Sequence, residues 1–171
     1  MIRIRKVKRI AIAVKDLNKA VENWKNWFGI RPLYYGEEPE DKYEFVAFNI
    51  GYGDTNIEFL APKNDPNGEK MIGKFVKERG EGLYMITLET EGTSQEVDEE
   101  FKTTDIKPAW GGMLKHWVMA DKDLRAKGGF KSWTEHYVHP KDANGVLITL
   151  ASCIYNDEPW EAKSGITTKK V

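Results

Sequence analysis

The stretch VKRIAIAVKDL, residues 7–17, decides the fold. Its β-branched apolar run, Val7 to Val14, is typical of a strand. Asp16 then caps a predicted helix, and Gly29 is the type of residue that ends a helix in the left-handed conformation. The apolar positions of this helix recur at intervals of three and four: Leu17, Ala20, Val21, Trp24 and Trp27.

The strand and the helix recur later in the chain. Ile10-Ala11-Ile12 aligns with Ile86-Thr87-Leu88, Val21 with Val97, and Ile30-Arg31-Pro32 with Ile106-Lys107-Pro108. An internal repeat of this kind indicates two copies of one structural unit.

Each copy is predicted to be a βαβββ unit, which gives an α+β fold. In the first copy two further strands, 44–50 and 55–60, flank a hairpin signal at 51–54. The second copy has a helix at 94–102 and strands at 83–89, 106–110, 133–138 and 146–151. The predicted division is a first unit at 1–62, a linker with a short helix at 63–82, a second unit at 83–151 and a tail at 152–171. The second unit carries an inserted loop at 111–131, and a loop of that length is more often functional than padding.

The composition limits the class of function. Lys and Arg number 26 against 27 Asp and Glu, so no net field attracts nucleic acid or an anionic membrane. No apolar run reaches bilayer length and no signal peptide is evident, which predicts a cytoplasmic protein. The single cysteine excludes an internal disulfide and a cysteine-based zinc site. The six tryptophans exceed the needs of a core this size, so some are predicted to line a ligand site or an interface.

The paired βαβββ units resemble the vicinal oxygen chelate superfamily, which includes glyoxalase I, extradiol dioxygenases and bleomycin-resistance proteins. Within it, the chain is similar to the methylmalonyl-CoA epimerases. The stretches that carry this likeness, besides 7–17, are NIEFLAP at 56–62, GKFVKERGEGL at 73–83 and VHPKDANGVLI at 138–148. The resemblance implies an open barrel built from both units.

The resemblance also implies one divalent metal ion, held by a side chain from the first and the last strand of each unit. Those positions fall on Arg9, Glu58, Met85 and Thr149. Only Glu58 is a good ligand, because a guanidinium cannot coordinate and Met and Thr suit hard divalent ions poorly. We therefore predict that the chain uses no metal and no other cofactor.

Strand alternation selects candidate residues for the interior. Arg9, Ala11 and Ala13 are expected to face a cavity, and so is Glu58, which can pair with Arg9. Arg9 could stabilise a developing enolate oxygen, or the pair could simply fill a decayed metal site. His136 is expected to face the same cavity as an acid or base, or to be a satisfied strand histidine.

The remaining candidates come from several parts of the chain. Asp41 aligns with a proton-carrying glutamate of the epimerases, although its acidic turn also suits plain solvation. Trp110, Trp117 and Trp133 flank the inserted loop, where they could hold a flat aromatic ligand or pack in the core. His116 in the loop could close over a ligand or remain exposed. Met85 and Thr149 complete the predicted substrate-binding set.

Two classes of function follow. The first is a metal-independent racemase or epimerase that exchanges the proton α to a carbonyl, on an aromatic ketone such as an isoflavanone of the dihydrodaidzein type. The second is a binding or resistance protein without catalysis, and an acyl-CoA epimerase is a further alternative. The partner is predicted to be a small aromatic carbonyl compound, and the protein is predicted to be a homodimer.

Overall fold

A computed structural model describes residues 1–50, 55–106, 108–109, 115–118 and 130–155, with the backbone alone for 115–118, 130–132 and 155. Within this part, no helix is long and apolar enough to cross a membrane. The strands are β1 (Ile4–Ala13), β2 (Tyr34–Glu38), β3 (Tyr43–Asn49), β4 (Asn56–Pro62), β5 (Gly82–Thr90), β6 (Lys115–Val118), β7 (Phe130–Val138) and β8 (Leu147–Tyr155). The helices are α1 (Leu17–Phe28), α2 (Met71–Arg79) and α3 (Ser94–Lys102).

The strands form one curled sheet in the order β2-β3-β4-β1-β5-β8-β7-β6. Each half of this order is formed by strands from one predicted unit, so the predicted α+β fold of paired βαβββ units is confirmed. In each half the first strand pairs in parallel with the last strand, β1 with β4 and β5 with β8. The two halves join through antiparallel pairing of β1 with β5 at the centre of the sheet.

The outer face of the first half is covered by α1. Asp16 caps this helix by accepting a hydrogen bond from the Lys19 amide at 3.0 Å, and Gly29 ends it with φ of 67°. Trp24 packs edge to face on Phe59, a buried residue of β4. Burial of this apolar stripe stabilises the helix, since a helix of this length is marginal in water alone. Trp27, in contrast, is exposed.

The linker helix α2 fills one end of the concave face. Asp65 accepts hydrogen bonds from the amides of Glu69 and Lys70, which holds the start of the linker helix in place. Ile72 and Phe75 of α2 pack in one apolar cluster with Ala11, Ala13, Leu60, Met85 and Leu147. The small side chains of Ala11 and Ala13 therefore make room for the helix.

The second half departs from the sequence prediction in three places. The described part of the predicted strand at 106–110 does not form a strand: Pro108 makes an isolated bridge to Val138, and Lys107 and Trp110 lie outside the described residues. The edge of β7 that faces away from β8 pairs with β6, which lies in the predicted inserted loop 111–131. The last strand continues to Tyr155, into the predicted tail 152–171, because its end pairs with the start of β7. This pairing satisfies backbone groups that a coil would leave to water.

Candidate active site

A row of polar side chains crosses the concave face of the sheet. Strand register aligns the row across six strands, from β3 through β4, β1, β5 and β8 to β7: Asn49, Asn56, Arg9, Thr87, Thr149 and Tyr137. The next row towards α2 holds Glu58 beside Ala11 and Met85. Since side chains alternate between faces along a strand, these residues share the interior.

Arg9 is the centre of this site. Its Nε donates to Thr87 Oγ1 at 3.1 Å, its Nη1 lies 3.2 Å from Glu58 Oε2, and its Nη2 donates to Glu135 Oε1. The side chains are 18% exposed for Arg9, 6% for Glu58 and 2% for Glu135. One buried cation is therefore shared by two buried carboxylates that come from different halves of the fold.

Aromatic side chains surround the cluster. The guanidinium lies over the Trp133 ring, with 5.3 Å between Cζ and the ring centroid, a cation–π geometry. Tyr137 donates its hydroxyl proton to Glu135 Oε2 at 2.6 Å. Burial, with added repulsion from Glu135, raises the pKa of Tyr137 above its ordinary value. Burial, with repulsion from Glu58, likewise raises the pKa of Tyr34 and of Tyr43.

The pKa shifts of Arg9 and Glu58 each have a clear direction. Burial opposes the charge of Arg9, but Glu135 and Glu58 outweigh it and the pKa of Arg9 lies above its ordinary value. Burial raises the pKa of Glu58, against the attraction of Arg9 and together with the repulsion of Glu135. Glu58 thus has an elevated proton affinity beside a permanent cation, which suits a group that accepts and returns protons.

The structure brings several predicted residues together. Arg9 and Glu58 form the predicted ion pair, and Trp133 lies against Arg9. Thr149 is fully buried in the polar row, and its hydroxyl has no hydrogen-bond partner within the described part of the chain. Met85 belongs to the apolar cluster around α2. Five of the predicted residues therefore lie on the interior face.

The predicted orientation of His136 is wrong. Its ring stacks on Phe101 of α3, with 5.6 Å between ring centroids, and its Nε2 lies 3.8 Å from Asp98 Oδ1. Val138, on the same side of β7, packs in the apolar cluster of α3. Burial lowers the pKa of His136, and a neutral imidazole can occupy this apolar layer whereas a carboxylate there would lack a cation. Strand alternation consequently turns Trp133, Glu135 and Tyr137 inward.

The other predicted residues do not join the cluster. Burial and the nearby Asp41 raise the pKa of Tyr84 to about 12, and Tyr84 packs on Phe75 of α2. Asp41 thus lies beside the end of the interior that α2 closes. Trp110 lies outside the described residues, and so do the side chains of His116 and Trp117 on β6.

Thr87, Tyr43, Tyr137 and Glu135 were not singled out from the sequence, and the signals that could have found them differ. Thr87 follows Met85 at the spacing of one strand face, so alternation along β5 could have found it. Tyr43 could have been found the same way, given the register of β3 with β4. Glu135 and Tyr137 could be found only once it is known which face of β7 points inward, and the insertion before that strand obscures this.

The residues at the four implied metal positions do not fit a divalent ion. The Arg9 guanidinium occupies the first position and engages Glu58, the only good ligand among them. Met85 is packed among apolar side chains, and Thr149 offers a single hydroxyl. Among the described residues, no group of three or more His, Cys, Asp or Glu side chains is arranged to hold a metal ion.

The chain belongs to the Glyoxalase/Bleomycin resistance protein/Dioxygenase superfamily, whose profile matches residues 8–134. Among curated proteins it is similar to the human mitochondrial methylmalonyl-CoA epimerase, with 26% identity over 145 residues that cover 85% of this chain and 72% of the relative.

Solved structures with the same fold include two epimerases. The methylmalonyl-CoA epimerase from Mycobacterium tuberculosis matches with a TM-score of 0.68 at 19% identity, covering 93% of this chain and 92% of the other. A Streptomyces coelicolor methylmalonyl-CoA epimerase in complex with 2-nitronate-propionyl-CoA matches with a TM-score of 0.70 at 18% identity, covering 91% and 99%. These likenesses establish the fold.

Proposed function

We propose that this protein is an epimerase that exchanges the proton on a carbon α to a carbonyl, with an acyl-CoA thioester as the favoured substrate class. The observation that carries the proposal is the buried Arg9 between Glu58 and Glu135. The similarity to methylmalonyl-CoA epimerases supports the reaction and the substrate class.

Arg9 supplies the electrostatic part of the reaction. A guanidinium carries five N–H donors, and within the described part of the chain three of them have partners, in Thr87, Glu58 and Glu135. The remaining donors are available to a carbonyl oxygen. Removal of an α proton moves negative charge onto that oxygen, and a fixed, buried cation stabilises it more than water does.

Glu58 supplies the proton transfer on one side of the substrate carbon. Its raised pKa brings it closer to the range in which a carboxylate both accepts and returns a proton near neutral pH. Glu135 is already engaged by Arg9 and by Tyr137, so it holds the guanidinium in place.

The reaction is tested with each enantiomer of methylmalonyl-CoA in D2O. We expect the protein to introduce deuterium at the α carbon and to interconvert the enantiomers, measured by mass spectrometry and chiral chromatography against a protein-free control. Glu58→Gln should slow interconversion by about 10² to 10⁴, the usual worth of a general acid or base. Absence of exchange above the control would refute the acyl-CoA proposal.

The aromatic ketone stays a prediction, and dihydrodaidzein in the same assay tests it. Exchange of dihydrodaidzein without exchange of methylmalonyl-CoA would replace the substrate class and keep the reaction. The predicted homodimer is tested separately, by sedimentation of the purified protein.

A second candidate function is the binding of a basic compound without catalysis. With both carboxylates ionised, the cluster carries one surplus negative charge, and Trp133 and Tyr43 add aromatic faces that suit a cation. Bleomycin is the probe, with binding followed by tryptophan fluorescence. Tight binding of bleomycin together with no exchange of either carbonyl compound would favour this function.

A further inference from the structure

The two carboxylates that share Arg9 have different surroundings. Glu135 accepts a hydrogen bond on each oxygen, from Arg9 on Oε1 and from the Tyr137 hydroxyl on Oε2. Glu58 approaches Arg9 through Oε2 alone. One guanidinium charge balances one carboxylate, so a single proton shared between the two glutamates makes the buried cluster neutral, which lowers the cost of burying it.

The two carboxylates also come from strands on opposite sides of β1. Glu58 comes from β4 and contacts Nη1, whereas Glu135 comes from β7 and contacts Nη2. A substrate carbonyl oxygen bound between Nη1 and Nη2 of Arg9 would lie between Glu58 and Glu135, the partners of those two nitrogens. A substrate carbon next to that oxygen would thus have Glu58 on one side and the pair of Tyr137 and Glu135 on the other.

We propose that Tyr137 is the second proton carrier of the site and relays protons to and from Glu135. This inference rests on the proposed epimerase function, because inversion at a planar enolate requires a proton carrier on each face. Tyr137 lies on the interior face beside Arg9, and it is paired in register with Thr149, whose buried hydroxyl can hold the substrate.

The proton transfers balance within the cluster. In the proposed starting state Glu58 carries the shared proton, Glu135 is ionised, and the Tyr137 hydroxyl donates its hydrogen bond to Glu135 Oε2. The α C–H bond breaks as its proton passes to Tyr137 Oη, while the former hydroxyl proton passes to Glu135 Oε2. The electron pair moves onto the carbonyl oxygen at Arg9. Glu58 then donates its proton to the opposite face, the new C–H bond forms, and the shared proton is left on Glu135.

The raised pKa of Tyr137 agrees with a relay, because it keeps the hydroxyl protonated between turnovers. A lone tyrosinate would be costly at this position, and simultaneous transfer to Glu135 avoids it. His136 cannot take this role, since its ring lies on the opposite face of β7 against Phe101.

The test compares Tyr137→Phe with Glu58→Gln on single enantiomers of methylmalonyl-CoA in D2O. Both variants should interconvert the enantiomers about 10² to 10⁴ more slowly than the wild type. Tyr137→Phe should still exchange the α proton of one enantiomer, with retention of configuration, and Glu58→Gln should do so for the other enantiomer only. This complementary pattern is one that a structural role for Tyr137 would not produce.

A matched control is Tyr84→Phe, since Tyr84 is a partly buried tyrosine that packs on Phe75 of α2 and whose charged neighbour is Asp41 rather than Arg9. It should interconvert the enantiomers at the wild-type rate, and thermal melting checks that all variants fold. The proposal is overturned if folded Tyr137→Phe interconverts within threefold of the wild type, exchanges both enantiomers or exchanges neither. A wild type without exchange would instead overturn the proposed function.

Discussion

Replacement of Arg9 by methionine is the perturbation with the largest expected effect on stability. Methionine keeps the apolar stem and removes the charge that Glu58 and Glu135 share. Their side chains are 6% and 2% exposed, so water cannot replace the guanidinium. Breaking a buried ion pair by removal of one partner costs about 3–5 kcal/mol. For a chain of this size that loss corresponds to a fall in melting temperature of roughly 6–20 °C.

The stability loss should depend on pH. Burial raises the pKa of Glu58 and Arg9 lowers it, so removal of Arg9 raises it further. A carboxyl whose folded pKa exceeds its unfolded value of about 4.3 contributes stability below that value and loses it as pH rises through the folded pKa. Urea unfolding of Arg9→Met should therefore show a larger loss relative to the wild type at pH 8 than at pH 5.

The matched control combines Arg9→Met with Glu58→Gln and Glu135→Gln. Amides carry no charge, so this triple variant should recover most of the lost free energy of unfolding and should show little pH dependence of the loss. If Arg9→Met is as stable as the wild type at pH 8, or if its loss is equal at pH 5 and pH 8, the reasoning about the shared cation is refuted.

Three further predictions concern other parts of the molecule. Burial lowers the pKa of His136, so the neutral ring contributes stability that is complete above about pH 6.5 and is lost as the pH falls. His136→Phe should therefore lose less free energy of unfolding on acidification than the wild type, and its rate of enantiomer interconversion should stay within threefold. A pH dependence of stability equal to that of the wild type would contradict this. Elemental analysis of the purified protein should find less than about 0.2 equivalents of any divalent ion, because Arg9 engages Glu58, the one good ligand among the four implied metal positions. One full equivalent that is lost in Glu58→Ala would be contrary evidence. Ala11→Leu should crowd Ile72 of α2 and lower the free energy of unfolding by about 1–3 kcal/mol, measured by urea unfolding. An unchanged urea midpoint would mean that α2 does not fill the interior beside Ala11.

Local signals explain why the first half of the fold could be predicted. Asp16 and Gly29 mark the ends of α1 without any distant contact, and the alternation of Arg9, Ala11 and Ala13 with apolar neighbours orients β1. The same alternation orients Glu58, so the ion pair at the centre of the site was accessible from the sequence.

The second half was harder to predict because its strands have weaker local signals. The four residues of β6, KHWV, carry no strong strand pattern, and only pairing with β7 defines them. Which face of β7 points inward depends on tertiary packing. One face carries Thr134, His136 and Val138 and the other carries Trp133, Glu135 and Tyr137, and either set could line an interior. The packing of His136 and Val138 near α3 decides between them, and with it the place of Glu135.

The central pairing of β1 with β5 has a consequence for synthesis on the ribosome. When the first 62 residues have emerged, β1 can pair with β4, but its other edge presents unpaired amides and carbonyls until residues 82–90 follow. An open edge of this kind can join a strand of another nascent chain. Lys6, Lys8 and Arg9 lie on that strand, and charged side chains on an edge disfavour such joining. We therefore expect the basic residues of β1 to disfavour such pairing until β5 is in place.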